Sequence, residues 1–153
     1  MSEYFDYKFG LTKIVPSKQD SREGKEVAGF RTLVEKTITP EIMNLAIFPS
    51  KKEVVLFILQ FFLSKKDYES RDVDNISKTV LDCLKGKLYI DDVQVRTLVV
   101  SKKMYSRVPS NFVFVAVKEL HGDTDIDVVK TKLMEQAVTL YQTSVKSSPR
   151  SAE

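Results

Sequence analysis

The run Val54-Val55-Leu56-Phe57-Ile58-Leu59, continued after Gln60 by Phe61-Phe62-Leu63, is the most apolar stretch of the chain and leaves it few ways to fold. β-Branched and aromatic residues suit a pleated strand, and apolar residues at successive positions suit a strand covered on both faces. The stretch Glu53–Leu63 therefore predicts a central buried strand, although its length also admits a buried helix. As a strand it leads through the charged segment Ser64–Arg71 to the first of several carboxylates, which places those acids at an end of the sheet.

Tyr4–Leu11 alternates aromatic and polar residues and predicts a first strand. Lys13–Lys25 is polar, carries Pro16 and Gly24, and predicts a loop whose Lys18 and Arg22 are either solvated or within reach of a phosphate backbone. Val27, Phe30, Leu33 and Val34 share one face of an amphipathic helix over Glu26–Lys36. Thr39-Pro40-Glu41 has the form of an N-cap, a proline at the first helical position and a first-turn acid, so a second short helix is expected to about Ala46, with Pro49 ending the pair. Val95–Val100 and Asn111–Leu120 predict two more strands, antiparallel across a turn at Pro109-Ser110. Thr124-Asp125-Ile126-Asp127 has the form of a helix start, and Ile126, Val129, Leu133, Ala137 and Leu140 continue at helical spacing toward Val145. The apolar face of that helix must cover its own sheet or a partner subunit. Residues 1–146 are expected as one domain and 147–153 as a disordered tail.

At 153 residues and 42% hydrophobic content the chain can build one core and has no room for a second domain. Lys and Arg number 24 against 21 acids, so the excess is too small for a general nucleic-acid coat, and any DNA contact must come from locally gathered charge. A single cysteine, Cys83, and a single histidine, His121, exclude an intramolecular disulfide and a structural zinc site and fit a reducing, cytoplasmic compartment. No run approaches the roughly 18 apolar residues of a membrane span.

The chemistry gathers in Arg71-Asp72-Val73-Asp74-Asn75, followed by Lys78, Asp82 and Asp91-Asp92. From Asn75 to Leu84 the apolar residues Ile76, Val80 and Leu84 mark a core stripe, while Asp74, Lys78 and Asp82 repeat on another face. Two like charges roughly 4 Å apart repel by about 4 kcal/mol at an effective dielectric near 20, so gathered carboxylates call for protons or a cation between them. Oxygen ligands with no His or Cys beside them favour Mg2+, with Mn2+ as its substitute. The plain alternative is that Asp74 is an N-cap, Asp91-Asp92 a turn, and Asp74/Lys78 a surface ion pair. Asp123, Asp125 and Asp127 make a second acidic run, but Val128 and Met134 stand where an EF-hand loop requires Gly and Glu, so these acids read as helix-start residues.

The motif Arg71-Asp72-Val73-Asp74-Asn75, Lys78, Leu81-Asp82-x-Leu84 and Leu88-Tyr89-Ile90-Asp91-Asp92-x-Gln94-Val95 resembles the central motif of the RusA family of Holliday junction resolvases. The resemblance covers roughly residues 71 to 100 and joins D-x-D-N, a lysine three residues past the Asn, and an apolar-D-D-x-Q-V run. It implies an α+β fold of one domain, a mixed β-sheet with helices packed on it, to which this chain adds an extra C-terminal helix. It further implies a homodimeric, Mg2+-dependent endonuclease that nicks opposed strands of a four-way DNA junction. On this resemblance Asp72, Asp74 and Asp92 are the metal-binding catalytic acids, Lys78 is the catalytic lysine, and Asp91 is a neighbour with at most a supporting role.

Lys65, Lys66 and Arg71 lie just upstream of the acids, and Lys102 and Lys103 just after the strand from Val95. These are the candidate phosphate-contacting residues, with Tyr68 and Tyr105 as further base or sugar contacts. The alternatives that the residues leave open are a nuclease acting on flaps or forks, a non-catalytic DNA-binding protein on the same fold, and a structural module in which the acids are caps and turns.

Overall fold

A computed structural model describes residues 4–17, 23–104, 107, 110–122 and 131–147. Two compact units emerge, Met1–Gly122 and Asp123–Glu153. The first is a small α+β domain with strands β1 (Tyr7–Leu11), β2 (Val54–Phe62), β3 (Val95–Met104) and β4 (Phe112–Glu119). Its helices are α1 (Glu23–Ile42), α2 (Lys65–Ser70) and α3 (Val73–Leu84), with a 3-10 turn at Asp92–Gln94. The second unit is described through one helix, α4 (Thr131–Ser147), whose Leu133, Met134, Val138, Leu140 and Tyr141 are exposed.

The four strands form one mixed sheet in the order β1-β4-β2-β3. β4 runs antiparallel to both β1 and β2, and β2 runs parallel to β3 from Val54 opposite Val95 to Phe62 opposite Met104. The strand reading of Glu53–Leu63 thus holds, and its central place follows from its composition: Val54, Val55, Leu56, Ile58 and Phe62 are all buried. β3 and β4 run in opposite directions as expected, but β2 lies between them, so they are not a hairpin. β3 carries exposed Arg96, Leu98, Lys103 and Met104 and tolerates the edge, whereas β4, with Val113, Val115, Ala116 and Val117 buried, needs a neighbour on each side. Of the expected turn, Pro109 lies outside the described residues, as do Lys18, Arg22, Tyr105 and the helix start at 124–127.

One core joins one sheet face to the helices. Tyr7, Phe9 and Leu11, then Val54, Leu56, Ile58 and Phe62, then Val113, Val115 and Val117 meet Phe30, Val34 and Ile38 of α1 and Ile76, Val80 and Leu84 of α3. Gln60 lies on this face and is fully buried. Its side chain accepts from the Val15 amide at 2.9 Å and donates to the Lys13 carbonyl at 3.0 Å, which fastens the 13–16 segment to β2. On the opposite face Phe5, expected within a strand from Tyr4, lies outside β1 and sets its ring against Phe57 and Phe114, with centroids 5.1 and 6.4 Å away.

Two helical expectations need correction. α1 is one helix through Thr39 and Pro40, not two, because Pro40 falls in the last turn, where the lost amide donor removes a single bond and little helix follows it. The charged segment Ser64–Arg71, for which no helix was expected, is largely helical: Ser64 caps α2, its hydroxyl accepting from the Asp67 amide at 3.1 Å. Only after this one-and-a-half-turn helix does the chain reach Asp72.

Candidate active site

α3 presents the first half of the acidic set. Asp72, not Asp74, is its N-cap: one carboxylate oxygen accepts from the Asn75 amide at 2.8 Å, and the other lies 3.4 Å from the Asn75 side-chain amide. This satisfies an orphan donor of the first turn and sets a negative charge at the positive helix end. Asp74 follows in the first turn, and Lys78 Nζ lies 3.1 Å from its Oδ2.

The helix orientation is decided by the opposite stripe. Burying Ile76, Val80 and Leu84 contributes about 1.5–3 kcal/mol each, against roughly 0.3–0.5 kcal/mol for an exposed i, i+4 ion pair. Core packing therefore turns Asp74 and Lys78 outward, where both remain more than 60% exposed.

The second half lies beyond the other end of α3. Asp91 begins the 3-10 turn, and its carboxylate is 3.5 Å from Lys85 Nζ. Asp92 is exposed, and its Oδ1 lies 3.1 Å from the hydroxyl of fully buried Tyr89, which is also 2.9 Å from the Leu81 carbonyl. Burial first, and the Asp92 carboxylate second, push the Tyr89 hydroxyl well above its ordinary range, so it remains a proton donor at any physiological pH.

Gln94 clamps this turn. Its side-chain oxygen accepts from the amides of Ile90 at 2.8 Å and Asp91 at 2.9 Å, while its amide nitrogen donates to the carbonyls of Ser50 at 2.7 Å and Lys52 at 2.8 Å. All four hydrogen-bonding positions of one side chain are used to fasten the Asp91-Asp92 turn to the segment before β2.

The halves stand apart. Because β2 and β3 are parallel, Asp72 and Asp74 follow the carboxyl end of β2 while Asp92 precedes the amino end of β3, and α3 runs back between them. The Leu81 carbonyl, which shares Tyr89 with Asp92, is seven residues past Asp74, or about 10 Å along the helix axis. Among the described residues no three acidic, His or Cys side chains form a cation-holding group. Asp72 and Asp74 share the start of α3, and Asp92 is not brought to them within this chain. The acids themselves fit a hard divalent cation in donor chemistry, since they offer carboxylate oxygens at exposed positions.

The basic candidates divide by role. Lys65 and Lys66 are exposed on α2, Lys65 within 3.7 Å of Glu69, and Lys103 is exposed on β3. Lys102 faces the helices: its Nζ donates to the carbonyls of Tyr68 and Arg71 at 2.8 Å each and sits 4.2 Å from the centre of the Tyr68 ring. Arg71 donates through Nε to the Val15 carbonyl at 3.2 Å. Both thus hold the α2 exit and the adjoining loop, whatever else they contact. Tyr89 and Gln94 stand in the motif Leu88–Val95, but the hydrogen bonds they make, like the anchoring task of Lys102, escaped sequence reasoning. Tyr89 was hidden inside an apolar run, and the bonds of Gln94 to Ser50 and Lys52 and of Lys102 to Tyr68 and Arg71 join partners more than 30 residues away.

The chain thus sets a mixed four-stranded sheet beside a crossover helix that carries paired carboxylates and a lysine on its outward face. Comparison with known families matches residues 17–117 to endodeoxyribonuclease RusA, and the chain belongs to the RusA family of nucleases that act on branched DNA junctions. No curated protein matches the sequence. Among the described residues, no helix is long and apolar enough to cross a membrane.

Proposed function

We propose that this protein is a Mg2+-dependent endodeoxyribonuclease that resolves four-way DNA junctions by paired, symmetric nicks in DNA recombination and repair. The observation that carries the reading is the start of α3, where Asp72, Asp74 and Lys78 stand exposed on one side of a helix whose other side is locked into the core. Asp72 and Asp74, at the start of α3, are the residues that would hold Mg2+, or Mn2+ in its place, while Asp92, beyond the other end of α3, does not join them within one chain. The ion supplies Lewis-acid polarisation of the scissile phosphate and a bound water of lowered pKa. Lys78, released from its weak pair with Asp74, balances charge that develops on the phosphate. Lys65, Lys66 and Lys103 contact the DNA backbone and orient it without reading sequence.

One set of acids cuts one strand. Paired nicks therefore require two sites related by a two-fold axis, which a homodimer supplies. The test is incubation of the protein with a labelled four-way junction, a fork and a linear duplex, each with Mg2+ or with EDTA, beside Asp74→Asn. Symmetric junction nicks that vanish with chelator and with the variant are expected, together with a dimeric mass in light scattering. Cleavage confined to forks or flaps would assign a related nuclease, and tight junction binding with no cleavage of any substrate would leave a non-catalytic DNA-binding protein.

A further inference from the structure

We infer that the groove between the 13–16 segment and α1 binds one unstacked nucleotide of a DNA strand whose backbone crosses the start of α3. The choice of a nucleotide rests on the nuclease reading above, and the groove itself rests on geometry. It has a volume of about 570 Å3, and like most small-ligand sites it is an apolar concavity with a few polar groups. Pro16 and Phe30, both buried, form its floor with half-buried Ile14 and Leu33. Lys13 and Lys36 stand exposed at its edges, and neither makes an ion pair among the described residues. An apolar floor between two unpaired ammonium groups suits a flat base joined to a phosphate: the base covers the floor and the phosphate meets the lysines.

Gly29 keeps the groove open. Glu26, Gly29, Leu33 and Lys36 recur every three or four residues and share one face of α1. Glycine is a poor residue for a helix interior, and packing does not require it here, since a Cβ at Gly29 would meet no atom within 4 Å. Its missing side chain leaves space in the groove wall. The opposite wall is held firmly: the Val15 carbonyl accepts from Arg71 Nε at 3.2 Å and the Pro16 carbonyl from Thr79 Oγ1 at 2.9 Å. Those bonds join the wall to the residue before Asp72 and to α3, so a strand lying over Asp72 and Asp74 brings its neighbouring nucleotides to the groove. Glu26 offers an acceptor there for an exocyclic amino group on the base edge.

The experiment is binding of the full-length protein, in EDTA, to four-way junctions that carry 2-aminopurine at single positions flanking the crossover, for wild type, Gly29→Leu, Gly29→Ala and Lys36→Glu. This base brightens when it leaves the stack, and wild type is expected to brighten it. Gly29→Leu fills the groove from an exposed helix position, so its melt should be no lower than that of wild type. We expect it to abolish the brightening and to weaken junction binding by roughly 5–100-fold, the range for one stacked base. Gly29→Ala adds a single methyl and should fall between. Lys36→Glu should weaken binding and reduce its salt dependence by about one phosphate contact, and it decides the matter on the same readouts should Gly29→Leu fail to fold. Brightening intact and affinity within twofold of wild type in Gly29→Leu overturns the groove assignment, while cleavage with Mg2+ leaves the nuclease reading standing. Groove-dependent brightening in a protein that cuts no DNA supports the assignment and sinks that reading. An acidic peptide that wild type binds and Gly29→Leu does not, beside unaltered junction binding, overturns the assignment in favour of a protein partner. Wild-type protein that binds no junction overturns both.

Discussion

Replacing Lys102 by methionine separates a structural lysine from a DNA-contacting one. The Lys102 ammonium makes two hydrogen bonds of 2.8 Å to the Tyr68 and Arg71 carbonyls and lies over the Tyr68 ring, which itself packs edge-on against Phe62 of the core. Hydrogen bonds to a charged group contribute about 1.5–3 kcal/mol each, and a cation over an aromatic face about 0.5–2 kcal/mol. Lys102 is only half-buried, so water can take over part of both carbonyls, and the methionine stem keeps most of the packing. The net loss should therefore fall near 2 kcal/mol, a lowering of Tm by roughly 4–8 °C for a chain of this size.

Urea denaturation of Lys102→Met beside Lys103→Met reads the difference, since Lys103 is exposed on the same strand and should change stability by less than about 0.5 kcal/mol. Junction binding across a salt series completes the assay: Lys103→Met is expected to reduce the salt dependence by about one phosphate contact. The reasoning is refuted if Lys102→Met is as stable as wild type and its only defect is a weaker, less salt-dependent grip on DNA.

Gly10 lies under the Phe112 ring, and a Cβ there would stand 2.1 Å from the ring's terminal carbon, so Gly10→Ala must push the ring off the sheet. It should cost about 1–3 kcal/mol in a denaturation midpoint, and a neutral result would mean that the ring is free to move. Gln60→Leu leaves the buried Val15 amide without its acceptor and frees the 13–16 segment, for a loss of about 2–4 kcal/mol by urea denaturation and faster amide exchange at Val15. Stability that is unchanged would show that this segment is held by other contacts. At alkaline pH, Tyr7 and Tyr89 have folded-state pKa values raised above the ordinary 10.0, chiefly by burial. Each therefore contributes stability that is whole below pH 10 and falls as the unfolded chain ionises above it, by about 1.4 kcal/mol per pH unit per tyrosine. Tyr7→Phe should flatten that decline in denaturation midpoints between pH 9 and 11, and an identical slope would refute it.

Much of this architecture was legible in the order of residues, because it depends on neighbours along the chain. The apolar run at Val54–Phe62 announced a buried central strand, and Ile76, Val80 and Leu84 announced which side of α3 enters the core, leaving Asp74 and Lys78 outside. The motif from Asp72 to Gln94 was enough to expect a RusA nuclease, and the family match agrees. Local signals were ambiguous where two mechanisms compete for one pattern. Thr39-Pro40-Glu41 has every mark of a helix start and lies in the last turn of α1, since a proline there removes only one bond.

What only the tertiary structure decided depends on contacts between distant segments. No periodicity indicates that β2 is inserted between β3 and β4, since strand order is set by which strand most needs cover on both edges. Nor does composition tell that Lys102 is spent on the Tyr68 and Arg71 carbonyls while Lys103 beside it faces solvent, because alternation along a strand separates neighbours onto opposite faces. The clearest case is the acids themselves. Their spacing groups them in sequence, but parallel pairing of β2 with β3 sends Asp72 and Asp74 to one end of the strand pair and Asp92 to the other, with Tyr89 and Gln94 supplying the hold that spacing could not reveal.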